Sequence, residues 1–132
     1  MSNTIKYNEE KVMKSAISDF AKEKIFEIYT KLNESVYSFF ITSDMNDYLC
    51  FLIEFKTYSI VMPEDIYYAF DAFLSNEISP SLDELSTYYN SFPEEDNALT
   101  NEKMLNMHAQ DHLDLIEEIY EFGAEYLRPI LT

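Results

Sequence analysis

The sequence predicts an α+β domain: a long amino-terminal helix, a small antiparallel sheet built on one hairpin, then three helices. Three observations carry this. Apolar residues first recur at helical spacing, then crowd into two runs rich in aromatic and β-branched residues, then return to helical spacing. A short polar, acidic stretch separates the two dense runs, as a hairpin tip would. The elements are segregated rather than alternating, which places helices over an antiparallel sheet. An all-helical fold is the alternative, because short apolar runs are ambiguous between strand and helix.

Met13, Ile17, Phe20, Ile25, Ile28 and Leu32 recur at steps of three to five, which predicts a helix over 9–33. Asn8 is its expected cap, with Glu9 and Glu10 in the first turn. Val36 to Thr42 and Tyr48 to Phe55 are the two dense runs, read as strands over 35–43 and 48–56. Asp44 and Asp47 sit at the tip between them. Pro63 suits the first turn of a helix over 63–75, with Ile66, Phe70, Phe73 and Leu74 at helical period. Ser79-Pro80, followed by Ser81 and Glu84 at capping-box spacing, predicts a new start and a helix over 80–91 that buries Leu82 and Leu85. Thr100 opens the last helix, 101–127, which Pro129 is expected to stop.

All 132 residues fit one domain, long enough to bury its own core. Hydrophobic residues form 47% of the chain, too many for a disordered acidic tail. The opening MSNTIKYNEEK has no apolar leader region, and no run approaches the roughly 18 apolar residues of a membrane span. Cys50 is the single cysteine, so no internal disulfide forms and a cytoplasmic location is expected. Within its apolar run the thiol reads as a small buried hydrophobe. The one glycine, Gly123, leaves no material for a phosphate-cradling loop or a dinucleotide fingerprint.

Charge is the strongest functional signal. Residues 1–31 are nearly neutral, whereas 32–132 carry twenty acids against Lys56, Lys103 and Arg128, a net −17. Such a body repels nucleic acid and anionic membrane and attracts basic proteins, so neither nucleic acid nor membrane is an expected direct partner. Asp111, Asp114, Glu118, Glu121 and Glu125 step by three and four along the last predicted helix, with Glu117 beside them. They share one face, while Leu115, Ile119, Phe122 and Tyr126 each follow one of them by a residue and face the core. No lysine interleaves with this stripe, so it reads either as a solvated face or as a docking strip for Lys and Arg. Tyr88 and Tyr89 precede the acidic loop Glu94, Glu95 and Asp96, the composition of a protein interface.

Enzymatic constellations are weak. His108 and His112 stand one turn apart beside Asp111, close to an inverted zinc-peptidase pattern but with aspartate for glutamate and no third ligand to name. No nucleophile elbow occurs, and no cofactor or metal is expected.

The segment from Ile17 to Phe55, a long helix leading into V-Y-S-F-F-I-T-S-D-M-N-D-Y-L-C-F-L, resembles the opening of small bacterial immunity proteins encoded beside polymorphic toxins. The resemblance covers under a third of the chain, carries no catalytic motif and transfers no family site. It implies a protein that binds and neutralises a toxin.

The expected function is therefore that of an acidic inhibitor of a basic protein, a nuclease-type toxin or another nucleic-acid-binding protein. Expected contacts are Tyr88, Tyr89, Glu94, Glu95, Asp96, Asp111, Asp114, Glu118, Glu121 and Glu125, with Asp44 and Asp47 as a second contact. The alternatives are a phage-encoded nucleic-acid mimic of the anti-restriction or anti-CRISPR kind and a small metal-dependent hydrolase centred on His108 and His112.

Overall fold

The structure, a computed structural model, describes residues 17–89 and 109–132. Among these residues there is no strand, which overturns the α+β expectation; the described residues are all-helical. Helix α1 spans Asp19–Thr42 and α2 spans Asn46–Tyr58, followed by a tight turn Ser59–Val61. Helix α3 runs Glu64–Phe73, through a widened turn Leu74–Ile78, into Ser79–Tyr89. Helix α4 has the same construction: Ala109–Phe122, a widened turn Gly123–Leu127, then Arg128–Leu131.

The expected hairpin is a helical hairpin. In the first expected strand Ser35, Val36, Phe39 and Phe40 are buried, at steps of one, three and one, and in the second Tyr48, Phe51 and Phe55, at steps of three and four. That is one helical face, hidden in the sequence because the opposite faces carry Tyr37, Ile41, Leu49 and Ile53, all exposed. Ser18 caps α1 by accepting a 3.0 Å hydrogen bond from the Ala21 amide, and Asp19 follows in the first turn. The expected cap Asn8 lies outside the described residues. At the other end Ser43 takes the left-handed conformation at φ 60° and donates its amide to the Phe39 carbonyl at 2.8 Å, which stops the helix. Asp44 then accepts the Asn46 amide at 2.8 Å, so the expected tip acid closes an Asx turn that leads into α2.

Two prolines expected to mark helix boundaries are absorbed inside helices instead. Pro80 offers no N–H to the Asn76 carbonyl, and its ring crowds that carbonyl in ordinary α register. A turn widened by one residue resolves the conflict, with the Ser79 amide donating to the Leu74 carbonyl. Pro129 is handled identically, through the Arg128 amide and the Gly123 carbonyl. The expected helices 63–75 and 80–91 are thus one rod, and Ser81 is no capping residue: its hydroxyl donates to the Glu77 carbonyl in mid-helix.

Side-chain contacts order the helices. Lys31 pairs with Glu54 and Tyr58 with Glu27, so α1 and α2 are antiparallel. Tyr48 bonds Ser79 and Phe55 meets Phe70, so α2 and α3 are antiparallel too. Phe73 stacks on Phe122 and Tyr126 donates to the Asp65 carbonyl, which sets α3 against α4. Phe40 stacks on His112 and Tyr29 donates to the Ile119 carbonyl, closing the ring between α4 and α1. Among the described residues the result is an up-down-up-down four-helix bundle. Its core holds Ile25, Ile28, Leu32, Phe39, Phe55, Ile66, Phe70, Ile78, Leu82 and Ile119. Buried apolar side chains of this size each contribute roughly 1.5–3 kcal/mol. Phe70 is the hinge of the aromatic packing, 5.0 Å from the Phe55 ring centre and 5.1 Å from that of Phe122. Burial pushes the Tyr48 phenol up to about 12, consistent with a neutral hydroxyl bonded to Ser79 at 2.7 Å.

Candidate functional site

The carboxylates of α4 are sorted by the rotation of the helix. His112, Leu115, Ile119 and Leu127 are buried and Phe122 and Tyr126 half-buried, which turns Asp111, Asp114, Glu121 and Glu125 outward. Glu118 stands at the boundary, half-buried where α4 meets α3. Facing it on α3 are Glu77, Ser81, Glu84 and Tyr88, which step by four, three and four along the continuous rod.

Between these rows lies a groove of about 240 Å³ lined by Ser81, Glu84, Leu85, Tyr88, Asp111, Asp114, Leu115 and Glu118. Four of the eight are acids, and no Lys or Arg is among them. Burial first, and then the negative charges of Glu77, Asp114 and Glu121, push the Glu118 carboxyl above the usual range. Gln110 donates to Asp114 at 2.8 Å, a neutral hydrogen bond that leaves the charge in place. Leu85 and Leu115 supply an apolar floor and Tyr88 a half-buried aromatic wall. Chemically, this is a receptacle for a cationic side chain with an aliphatic stem: carboxylates at the rim, apolar surface beneath.

The structure brings together Tyr88, Asp111, Asp114 and Glu118 of the expected contacts. Glu121 and Glu125 continue the stripe along α4 beyond the groove. Glu94, Glu95, Asp96 and the side chain of Tyr89 lie outside the described residues. Glu77 and Glu84 were missed as site residues because Pro80 appeared to divide α3; read as one helix, they fall on one face with Tyr88. Asp44 and Asp47 lie at the same end of the bundle as the groove, at the α1–α2 turn. Comparison with known proteins places no relative beside this chain: no family model matches it, and neither does any curated protein or solved structure.

The remaining candidates resolve differently. His112 is buried at 6% exposure, its ring stacked on Phe40 at 4.1 Å between centres; His108 lies outside the described residues. Among the described residues no group of three His, Cys, Asp or Glu side chains is placed to hold a metal ion. Cys50 is not buried as expected but exposed on α2, because the helical register turns Tyr48 and Phe51 inward and Cys50 out. No helix among the described residues is long and apolar enough to cross a membrane.

Proposed function

We propose that this protein is an acidic inhibitor that captures a basic partner at the α3–α4 groove and blocks it. The partner class that fits is a nuclease-type toxin, which would make the protein its immunity protein. A surface built to hold phosphates is basic and therefore complementary to this one. The observation that carries the reading is the groove itself, where Glu84, Asp111, Asp114 and Glu118 surround the Leu85 and Leu115 floor, Glu118 crowded by its acidic neighbours, with no Lys or Arg in the described lining. A lysine or arginine side chain entering there would relieve that repulsion and lay its stem on Leu85 and Leu115. Exposed carboxylates along α4 would speed encounter, and the packed floor would slow release.

The spacing of the stripe favours this over mimicry of nucleic acid. Five carboxylates from Asp111 to Glu125 stand about 5 Å apart along the helix axis on average. A duplex presents one charge per roughly 1.7 Å.

The test is a pull-down with tagged protein from its host lysate at about 50 mM and about 500 mM salt, over which the Debye length shrinks roughly threefold. The expected result is one basic protein retained at high salt, whose activity the purified inhibitor abolishes at equimolar ratio. Changing Asp114→Asn, Glu118→Gln and Glu121→Gln together should slow its association at least tenfold at low salt with folding unimpaired. An unchanged association rate would place the interface elsewhere. Several nucleic-acid-binding proteins, all lost together at high salt, would favour the mimic.

A further inference from the structure

The seam between α1 and α4 presents an exposed apolar face that the packing of the described helices leaves open. On α1 it consists of Phe26, Tyr37 and Ile41, and on α4 of Leu113, Ile116 and Tyr120; Tyr37 is 63% exposed and Leu113 58%. Each set follows helical spacing, so each is a stripe, and the two stripes flank one antiparallel helix pair. Contiguous apolar surface rimmed by charge marks a recognition site.

Two clefts are sunk into the seam. One, of about 320 Å³, lies between Val36, Tyr37, Ile116 and Ile119. The other, of about 290 Å³, lies between Phe26, Tyr29, Tyr120 and Leu127. Their α1 walls, residues 33–37 and 26–29, are separated by roughly seven residues or about 10 Å of rise, two turns of a helix. A third helix laid along the seam would reach both clefts with side chains at i and i+7.

Charge selects the occupant. Glu34 lines the first cleft, Glu23 stands on the neighbouring α1 surface, and Glu117 lies one position beyond Ile116, before the acid stripe. Against these acids stand Arg128 beside the second cleft, Lys22 one turn before Phe26, and Lys31, which lines a cavity with Glu23 and Glu34 and pairs with Glu54, so the acidic excess that selects a cationic occupant is that of the whole chain. A second copy of this chain would bring the same acidic rims and a further −16 against them.

We infer that the α1–α4 seam docks an amphipathic helix of the partner, with apolar anchors at i and i+7 and lysine or arginine on both flanks. This rests on the reading of the protein as a binder of basic proteins and adds where, and by what element, the packed contact forms. The α3–α4 groove then holds a cationic side chain from the same partner, across the acidic back of α4.

The probe is a fluorescein-labelled synthetic peptide of about eighteen residues, ~27 Å as a helix, with leucine at i, i+3, i+4 and i+7 and lysine elsewhere. Its controls are the same composition scrambled and the same pattern with glutamate for lysine. Fluorescence anisotropy with the full chain at about 50 mM and about 500 mM salt should show the patterned peptide binding at both, a range over which exposed charges become screened. The scrambled peptide should bind at least tenfold more weakly and only at low salt, and the glutamate peptide not at all. Leu113→Gln with Ile116→Gln, and separately Tyr37→Gln, should weaken the patterned peptide at least tenfold at high salt without lowering the melting temperature. Asp114→Asn with Glu118→Gln should leave high-salt binding within twofold. Patterned binding indifferent to the seam changes would overturn this inference and leave the acidic-inhibitor reading standing. No lysine peptide bound at either salt would overturn both. A dimer in sedimentation that the seam changes dissociate would assign the face to a second copy and overturn the partner helix.

Discussion

Helix α1 meets α2 on one flank and α4 on the other, and the chain completes these two flanks unequally. Against α2 the charges are neutralised internally: Lys31 pairs with Glu54 at 3.4 Å, and Glu27 accepts from Tyr58 at 2.8 Å and from Lys24 at 3.1 Å. The Tyr58 hydrogen bond, followed by that of Lys24, holds the Glu27 carboxyl below the usual range. Beyond the other flank, on α4, burial and then the charges of Glu77, Asp114 and Glu121 push the Glu118 carboxyl up, and Leu113, Ile116 and Tyr120 stand exposed. The same residue type thus moves in opposite directions on the two sides. Under the proposed function, crowded acid and exposed apolar surface on one helix are what α4 would offer a partner.

The largest expected effect tests a closely fitted contact on the α4 flank. A β-carbon at Gly123 would stand 2.3 Å from the Tyr29 hydroxyl oxygen and 2.5 Å from its Cζ, while that hydroxyl donates to the Ile119 carbonyl at 2.8 Å. Gly123→Ala should cost about 1–3 kcal/mol in denaturant unfolding. Adding Tyr29→Leu should recover part of that loss, since the two changes share one contact. An additive cycle would show that α4 shifts freely against α1. Tyr29→Phe alone should cost about 0.5–1.5 kcal/mol.

Next come paired substitutions of opposite sign. Glu118 in the folded chain keeps its proton to higher pH than in the unfolded chain, so its contribution is favourable at low pH and is lost as pH rises through the folded value. Glu118→Gln should therefore raise the melting temperature at pH 7, with the gain fading as pH falls through the folded value and gone below the usual glutamate range, about 4.3. Glu27 loses its proton more readily when folded, so its contribution is present above about 4.3 and is lost as pH falls through the folded value. Glu27→Gln should lower the melting temperature at pH 7 and have no effect in acid. Shifts of the same sign in thermal melts would dissolve the contrast between the flanks.

The smallest effects are expected at positions outside the contrast. Ser43 holds φ 60° at the end of α1, so Ser43→Gly should stabilise by about 0.5–1 kcal/mol in the same unfolding measurement. Exposed Cys50→Ser should leave stability and partner binding unchanged, as unfolding and the pull-down would show.

What could be read directly were the helical stripes whose outer faces are polar. Ile25, Ile28 and Leu32, Ile66 and Phe70, and Leu115 and Ile119 all face the core as their spacing predicts. The acid stripe on α4 was legible for the same reason, since charge and core alternate there with the helical period. Residues 35–42 and 48–56 were misread because Tyr37, Ile41, Leu49 and Ile53 fill the outer face and erase the period. The surface that obscured helix α1 in the sequence, Tyr37 and Ile41, is the surface that stands exposed beside α4.

By itself, then, the sequence determined the net charge, the crowding of acids on one helical face and the identity of most core side chains, because these depend on composition and local spacing. Only the tertiary structure decided that the dense runs are helices, since burying Val36, Phe39, Tyr48 and Phe55 in one bundle core outweighs their strand propensity. It also decided that Pro80 and Pro129 widen a turn instead of ending a helix, because core contacts on both sides of each proline hold the rod together. Bringing Glu77 and Glu84 to Glu118 required that continuous α3 packed against α4, a pairing of residues far apart in the chain that no local pattern encodes.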